Sequence, residues 1–154
     1  MATLTSKITE SITLDSGTVN SVNTFSVGSI TQITKRIVTI TTTEAEILKF
    51  GATVDAGRSI IADVRYMRFT NLDDDNFITL TFKNEDNDEV AIKLDFGQSF
   101  IWNSDNATGL VDVFNSTENA NVASDTGLAD LTSVQADANT GSCKLEMFIA
   151  EITA

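Results

Sequence analysis

The sequence predicts an all-β fold, an antiparallel β-sandwich of the jelly-roll kind, and three observations carry that expectation. Thr, Val and Ile are abundant, and apolar residues recur at a spacing of two rather than at the helical period. About eight to ten short stretches of this alternation are separated by clusters of Gly, Asn, Asp and Ser. No stretch of helical period is long enough for a helix of about three turns. Proline is absent, so those polar clusters must make every turn.

Residues 1–30 differ from the rest. TLTSKITESITLDSGTVNSVNTFSVGSI is rich in Ser and Thr, with sparse apolar alternation at Ile8, Ile12, Leu14, Val19 and Val22. Two readings stand open: one or two peripheral strands, or an extended arm that orders only against a neighbouring subunit. The expected organisation is therefore this segment followed by one sandwich domain over residues 31–154.

Within that domain KRIVTITTT reads as a strand, and AEILKF as a short strand or a single helical turn. The clearest unit runs from Ser59 to Phe96 and reads as an antiparallel meander. SIIADVRYMRFT is a strand, NLDDDN a turn, FITLTFK a strand, NEDNDE a turn and VAIKLDF a strand. Ile78, Leu80 and Phe82 share one face of the second strand, with Thr79, Thr81 and Lys83 on the other. In the third, Val90, Ile92, Leu94 and Phe96 are expected to face inward. The first strand breaks the pattern, because Val64 and Tyr66 fall on one face while Met67 and Phe69 fall on the other. Either a bulge near Tyr66 or burial on both faces would account for it. QSFIWN and LVDVFN follow as short strands around the turn SDNATG, then a polar loop over 116–127, the weak strand ADLTSVQA, and CKLEMFIAEIT. In this last strand Cys143, Leu145, Met147 and Ile149 line one face.

Composition removes several function classes. The chain of 154 residues carries 22 acidic and 10 basic residues, a formal net charge of −12. That balance, with no cationic stripe, argues against nucleic acid as a partner. No histidine is present, and with one cysteine the usual zinc and copper ligand sets are excluded. Serine nucleophiles lack a histidine partner. The N-terminus shows no basic region followed by an apolar core, and no stretch approaches the ~20 apolar residues of a membrane span. The expectation is a soluble protein made in a cytoplasm, with no membrane partner, no catalytic residues and no cofactor.

The stretch TNLDDDNFITLTFKNEDNDEV raises the one metal question. Its carboxylates and amides could hold calcium, or could be two turns about a strand. A calcium loop places oxygen ligands at alternating positions of one turn, commonly with a glycine at the bend. In NLDDDNF the acids are contiguous and glycine is absent. A seven-residue strand at about 3.3 Å per residue also holds the two clusters more than ~20 Å apart, too far for one ion. Solvated turns are the preferred reading, with Asp86 and Asp88 the weak calcium candidates. Asp95, Asp105 and Asp112 could be imagined as glycosidase carboxylates, but no spacing singles them out. GATVDAG does not precede a helix and is no phosphate loop. Cys143 is expected to be a buried, inert thiol. Trp102 is expected in the core or at a subunit contact rather than stacked on a sugar.

The segment VRYMRFTNLDDDNFITLTFKNEDNDEVAIKLDFGQSFIW resembles small virion proteins of tailed bacteriophages. Their pattern is a strand ending in an N-L-D turn, an apolar strand, a polar hairpin and an L-x-x-G-x-S-F close. The matching residues are Asn71, Leu72 and Asp73, then Leu94, Gly97, Ser99 and Phe100. The resemblance implies a structural role as a capsid decoration or cement subunit, or as a tail, neck or fibre component, in a homo-oligomer. A trimer on the major capsid protein is the expected form, located in the virion. No functional residue is carried over. The alternative from another class is a calcium-assisted carbohydrate-binding module.

Overall fold

The computed structural model describes residues 2–53, 55, 57–104, 109–111, 114–115 and 128–152. Its strands follow the two-residue alternation wherever a face can be buried. In chain order they are β1 (Ala2–Leu14), β2 (Gly17–Ile30), β3 (Gln32–Ile40), β4 (Ala45–Gly51), β5 (Arg58–Ile60), β6 (Val64–Asn71), β7 (Ile78–Asn84), β8 (Glu89–Leu94), β9 (Ser99–Asn103), β10 (Phe114–Asn115), β11 (Leu128–Ala129), β12 (Leu131–Ala138) and β13 (Cys143–Glu151). A single 3₁₀ turn, Ile61–Asp63, is the only helical element among the described residues.

Two sheets face each other. One has the order β3-β13-β6-β9 and the other β5-β4-β12-β7-β8. The pairings nest: β3 with β13, β4 with β12, β6 with β9 and β7 with β8, all antiparallel. First pairs with last and the middle strands close as a hairpin, which is the jelly-roll arrangement. The β-sandwich predicted from the alternation is thus the observed architecture. Between the sheets lie Met67, Phe69, Ile78, Leu80, Phe82, Leu145, Met147 and Ile149, each at most 1% exposed. Each such side chain contributes roughly 1.5–3 kcal/mol relative to exposure, so the two inner faces dominate the stability of the domain.

The structure revises the reading of the Ser59–Phe96 unit. It is not one meander, because β6 lies in the four-stranded sheet and β7–β8 in the five-stranded one. The N-L-D turn is the corner where the chain changes sheets. Asn71, fully buried there, donates its side-chain amide to the carbonyls of Asn76 and Leu94, at 2.8 and 3.1 Å. SIIADVRYMRFT also divides, into β5, the 3₁₀ turn and β6. Both explanations offered for β6 hold. The pairing with β13 shifts between Ala150↔Tyr66 and Glu151↔Val64, leaving Arg65 as the extra residue of a bulge. Val64 thereby joins Met67 and Phe69 inside, while Tyr66 is buried on the opposite face.

Of the two readings of AEILKF, the strand holds, as β4. In β8, Leu94 is buried but Val90 is 39% and Phe96 57% exposed, because β8 is an edge strand and Phe96 lies beyond its end. The weak strand ADLTSVQA proves to be the centre of its sheet, where Ser133, Val134, Ala136 and Ala138 are all buried. Of LVDVFN only Phe114–Asn115 is strand, residues 112–113 lying outside the described residues together with the loop expected over 116–127 and most of the turn SDNATG.

Residues 2–30 form a long β-hairpin closed by Asp15 and Ser16, with Leu14 paired to Gly17. Its base lies on the outer face of the four-stranded sheet. Val27 and Ile30 are buried there with Tyr66 and Ala150, and Leu4, Phe25, Ile101 and Phe148 pack around them. Moving back along β2 from Ile30, the hairpin crosses from β3 toward the edge strand β9. Ile8, Asn23 and Thr24 still line one recess with Ile101 and Asn103 of β9. Beyond that edge, residues 9–22 are exposed on both faces.

Candidate functional site

The acidic turns use their polar groups on themselves. Asp73 accepts hydrogen bonds from the backbone N–H of Asp75 and Asn76, at 3.0 and 2.7 Å, and from the Asn76 amide. These bonds, the one from Asn76 foremost, hold its carboxyl below the ordinary value. In the β7–β8 hairpin, Asn87 adopts a left-handed conformation (φ 67°) and Asn84 accepts the Asp88 N–H at 2.8 Å. Asp86 is exposed in this turn and Asp88 half-buried. Among the described residues no group of three or more acidic or cysteine side chains is placed to hold a metal ion.

The other sequence candidates scatter. Asp95 ends β8 in an ion pair with Lys93 at 2.7 Å, and Asp105 and Asp112 lie outside the described residues. Cys143 is fully buried, and burial, with Asp73 beside it, pushes its thiol pKa up. GATVDAG joins β4 to β5 and opens no helix.

The two open edges of the sandwich differ in chemistry. At the β3–β5 edge a polar recess of about 310 Å³ is lined by Gln32, Arg36, Asp55, Arg58, Asp63 and Glu151, among others. Arg36 closes it by donating to the Ile47 carbonyl of β4. Glu151 is 3% exposed, and its Oε1 has no hydrogen-bond partner. Burial raises its pKa, the Asp63 charge adds to the rise, and a bond from Ser59 opposes it.

At the β8–β9 edge the sheets part around an apolar mouth. Phe82, Val90, Ile92, Phe100 and Trp102 line a cleft of about 180 Å³. Phe82 packs against Phe100 and Trp102 with ring centroids 5.2 and 5.5 Å apart, so the mouth has a rigid aromatic floor. Trp102 is half-buried, touching the core with one side and the cleft with the other.

The hairpin supplies the second unusual surface. Register places Leu4, Ile8, Ile12 and Leu14 on one face with Phe25 and Val19. At the base this face is packed on Tyr66 and Phe148. At the tip the same face continues bare: Ile8, Ile12, Leu14 and Val19 are 45, 55, 49 and 58% exposed. A two-stranded ribbon is marginally stable in water without a covering layer. The arrangement suits association: an apolar stripe held out on a ribbon, and an apolar mouth framed by two edge strands. The sparse alternation in the sequence contains the residues of the stripe together with Val22 of the opposite face, but nothing in it signals the mouth, since Val90 and Ile92 look like ordinary inward residues until β8 is known to be an edge.

No family model matches the chain, and no curated protein matches it significantly. Among solved structures it is similar to a chain from the Bacillus endospore appendages, a novel family of disulfide-linked pili, at 12% identity and a TM-score of 0.46 over 82% of this chain and 90% of that one.

Proposed function

We propose that the chain is a non-enzymatic structural subunit that assembles with copies of itself, as a trimer, and serves as a decoration subunit on the head of a tailed-phage virion. The observation that carries self-assembly is the hairpin, whose buried base anchors it and whose bare apolar tip awaits a cover. The resemblance of residues 64–102 to small virion proteins supports the choice of assembly, with the major capsid protein as the outer partner. Sedimentation of the full chain beside a chain beginning at Thr31 tests the reading. The full chain is expected to sediment as a trimer at micromolar concentration and the shortened one as a monomer. A monomeric full chain overturns the proposal. Electron microscopy of virions carrying the subunit then distinguishes the head from the tail, neck or fibre.

A further inference from the structure

We infer that the cover of each hairpin tip is the β8–β9 mouth of a second copy of this chain, so that copies join head to tail. The inference rests on the self-assembly proposed above and names the receiving surface. Three features select it. First, the tip stripe is apolar and nearly uncharged: Ile8, Ile12, Leu14 and Val19 share the face with one acid, Glu10. Of the two sandwich edges, only the β8–β9 mouth offers a matching apolar lining. The β3–β5 edge presents Arg36, Asp55, Arg58 and Asp63 and would strand polar groups beneath the stripe.

Second, both surfaces are incomplete in the same way. The mouth leaves Val90 39% exposed and Trp102 half-covered over an aromatic floor, while the stripe leaves four aliphatic side chains in water. The mouth is also framed by β8 and β9, each hydrogen-bonded on one side alone within its sheet. Among the described residues, the outer edges of β1 and β2 are likewise without a neighbouring strand. An incoming ribbon can therefore satisfy backbone groups and apolar groups together.

Third, a hairpin does not serve its own mouth. It leaves the body across the outer face beside Ile101 and Asn103, and residues 9–22 are exposed throughout, so among the described residues the hairpin does not cover the mouth. Donor and acceptor surfaces are thus distinct patches of one chain. Such an interface is heterologous, and it closes into a ring when the rotation allows, a trimer being one such ring.

A mixing experiment separates this from other modes of assembly. One variant carries Ile12→Asn with Val19→Asn and keeps its mouth; the other carries Val90→Asn and keeps its hairpin. All three positions are exposed, so the fold should survive, and melting temperature verifies it. Each variant alone is expected to associate at least about tenfold more weakly than the wild type, given the apolar area removed. Mixed, they should form one-to-one heterodimers that grow no further, because one intact stripe and one intact mouth remain. Trp102, the lone tryptophan, should shift its emission to the blue only in the mixture. Wild-type-like assembly of the Val90 variant overturns the mouth as receiver but leaves self-assembly standing. Failure of the mixture to combine also overturns it, since an intact stripe and an intact mouth would then not be partners. A wild-type chain that stays monomeric overturns the inference and the proposed function together.

Discussion

Phe25 of the hairpin stacks on Tyr66 of the sheet, ring centroids 6.5 Å apart and planes inclined by 21°. Phe148 meets the same tyrosine edge-on at 6.0 Å, and Ser6 donates to the tyrosine hydroxyl at 3.3 Å. This cluster lies outside the main core and decides whether residues 2–30 act as a directed ribbon or a loose tail. It exists because regular alternation along β6 puts Tyr66 on the face opposite Met67 and Phe69, across from Ala150, and the bulge at Arg65 returns only Val64 to the inside.

The first prediction follows from that contact. Phe25→Ala should weaken docking of the hairpin by about 1–2 kcal/mol, the share of a half-buried aromatic. Amides of β1 and β2 should exchange faster while those of β13 are unchanged, and trypsin should cut sooner at Lys7. Equal slowing or speeding across both regions would mean that the hairpin and the sandwich unfold as one unit.

A second prediction concerns the acidic turns. Millimolar calcium is expected to move the melting temperature by less than about 1 °C, since a ligand stabilises only by binding the native state. Asp86→Asn with Asp88→Asn should leave that result unchanged. A saturable rise of several degrees, lost in the double variant, would restore the calcium reading for this turn and with it the carbohydrate-binding alternative.

Much of the fold was legible because burial and alternation coincide. β7 and β13 show it plainly: Ile78, Leu80 and Phe82, and Cys143, Leu145, Met147 and Ile149, are the inner faces in both readings. What could not be read was which sheet a strand joins. The corner at Asn71 looks like a hairpin turn in sequence, since Asn and Asp serve both purposes. The strength of β12 was hidden as well, because Ala136, Ala138 and Ser133 are small enough for close packing yet carry weak strand propensity. The mouth was invisible for a related reason, since an inward-facing Val90 is apolar whether or not anything covers it. For the hairpin, the sparse spacing of Ile8, Ile12 and Leu14 signalled an unusual segment. Its docking face became apparent only when Phe25 and Val27 were seen against Tyr66.

The third prediction tests the packing beneath the 3₁₀ turn. Gly109 adopts φ 73°, and a Cβ there would stand 2.4 Å from the Ala62 carbonyl oxygen and 2.8 Å from the Arg65 guanidinium. That same carbonyl receives the Arg65 side chain at 2.6 Å. Gly109→Ala should therefore cost at least about 2 kcal/mol in urea unfolding, combining backbone strain with the clash. Gly141→Ala, where φ is 64° and no atom lies within 4 Å of the added Cβ, isolates the strain alone and should cost about 1 kcal/mol. Equal losses at both positions would show that the turn yields to the added methyl.

The last prediction uses Glu151, the buried acid at the β3–β5 edge. The groups facing it are Asp63, Asp55, Arg36 and Arg58 across the recess, with Ser59 bonded to it. Its pKa is raised in the folded protein, chiefly by burial, so the native state holds a proton that the unfolded chain releases near the ordinary value of about 4.3. Below that value both states are protonated and the stabilising share is complete. As pH rises through the folded value the share is lost, because the native state must then bury a charge. Glu151→Gln keeps the neutral form at every pH. Its melting temperature should match the wild type near pH 4 and exceed it progressively toward pH 7. Asp73 and Glu146, both held below the ordinary value, act with the opposite sign but equally in the two proteins, so they cancel from the difference. A variant less stable than the wild type at pH 7 would mean that the carboxylate is ionised and paired, with Arg36 or Arg58 as its counter-ion, and would reverse the assignment of burial as the dominant cause.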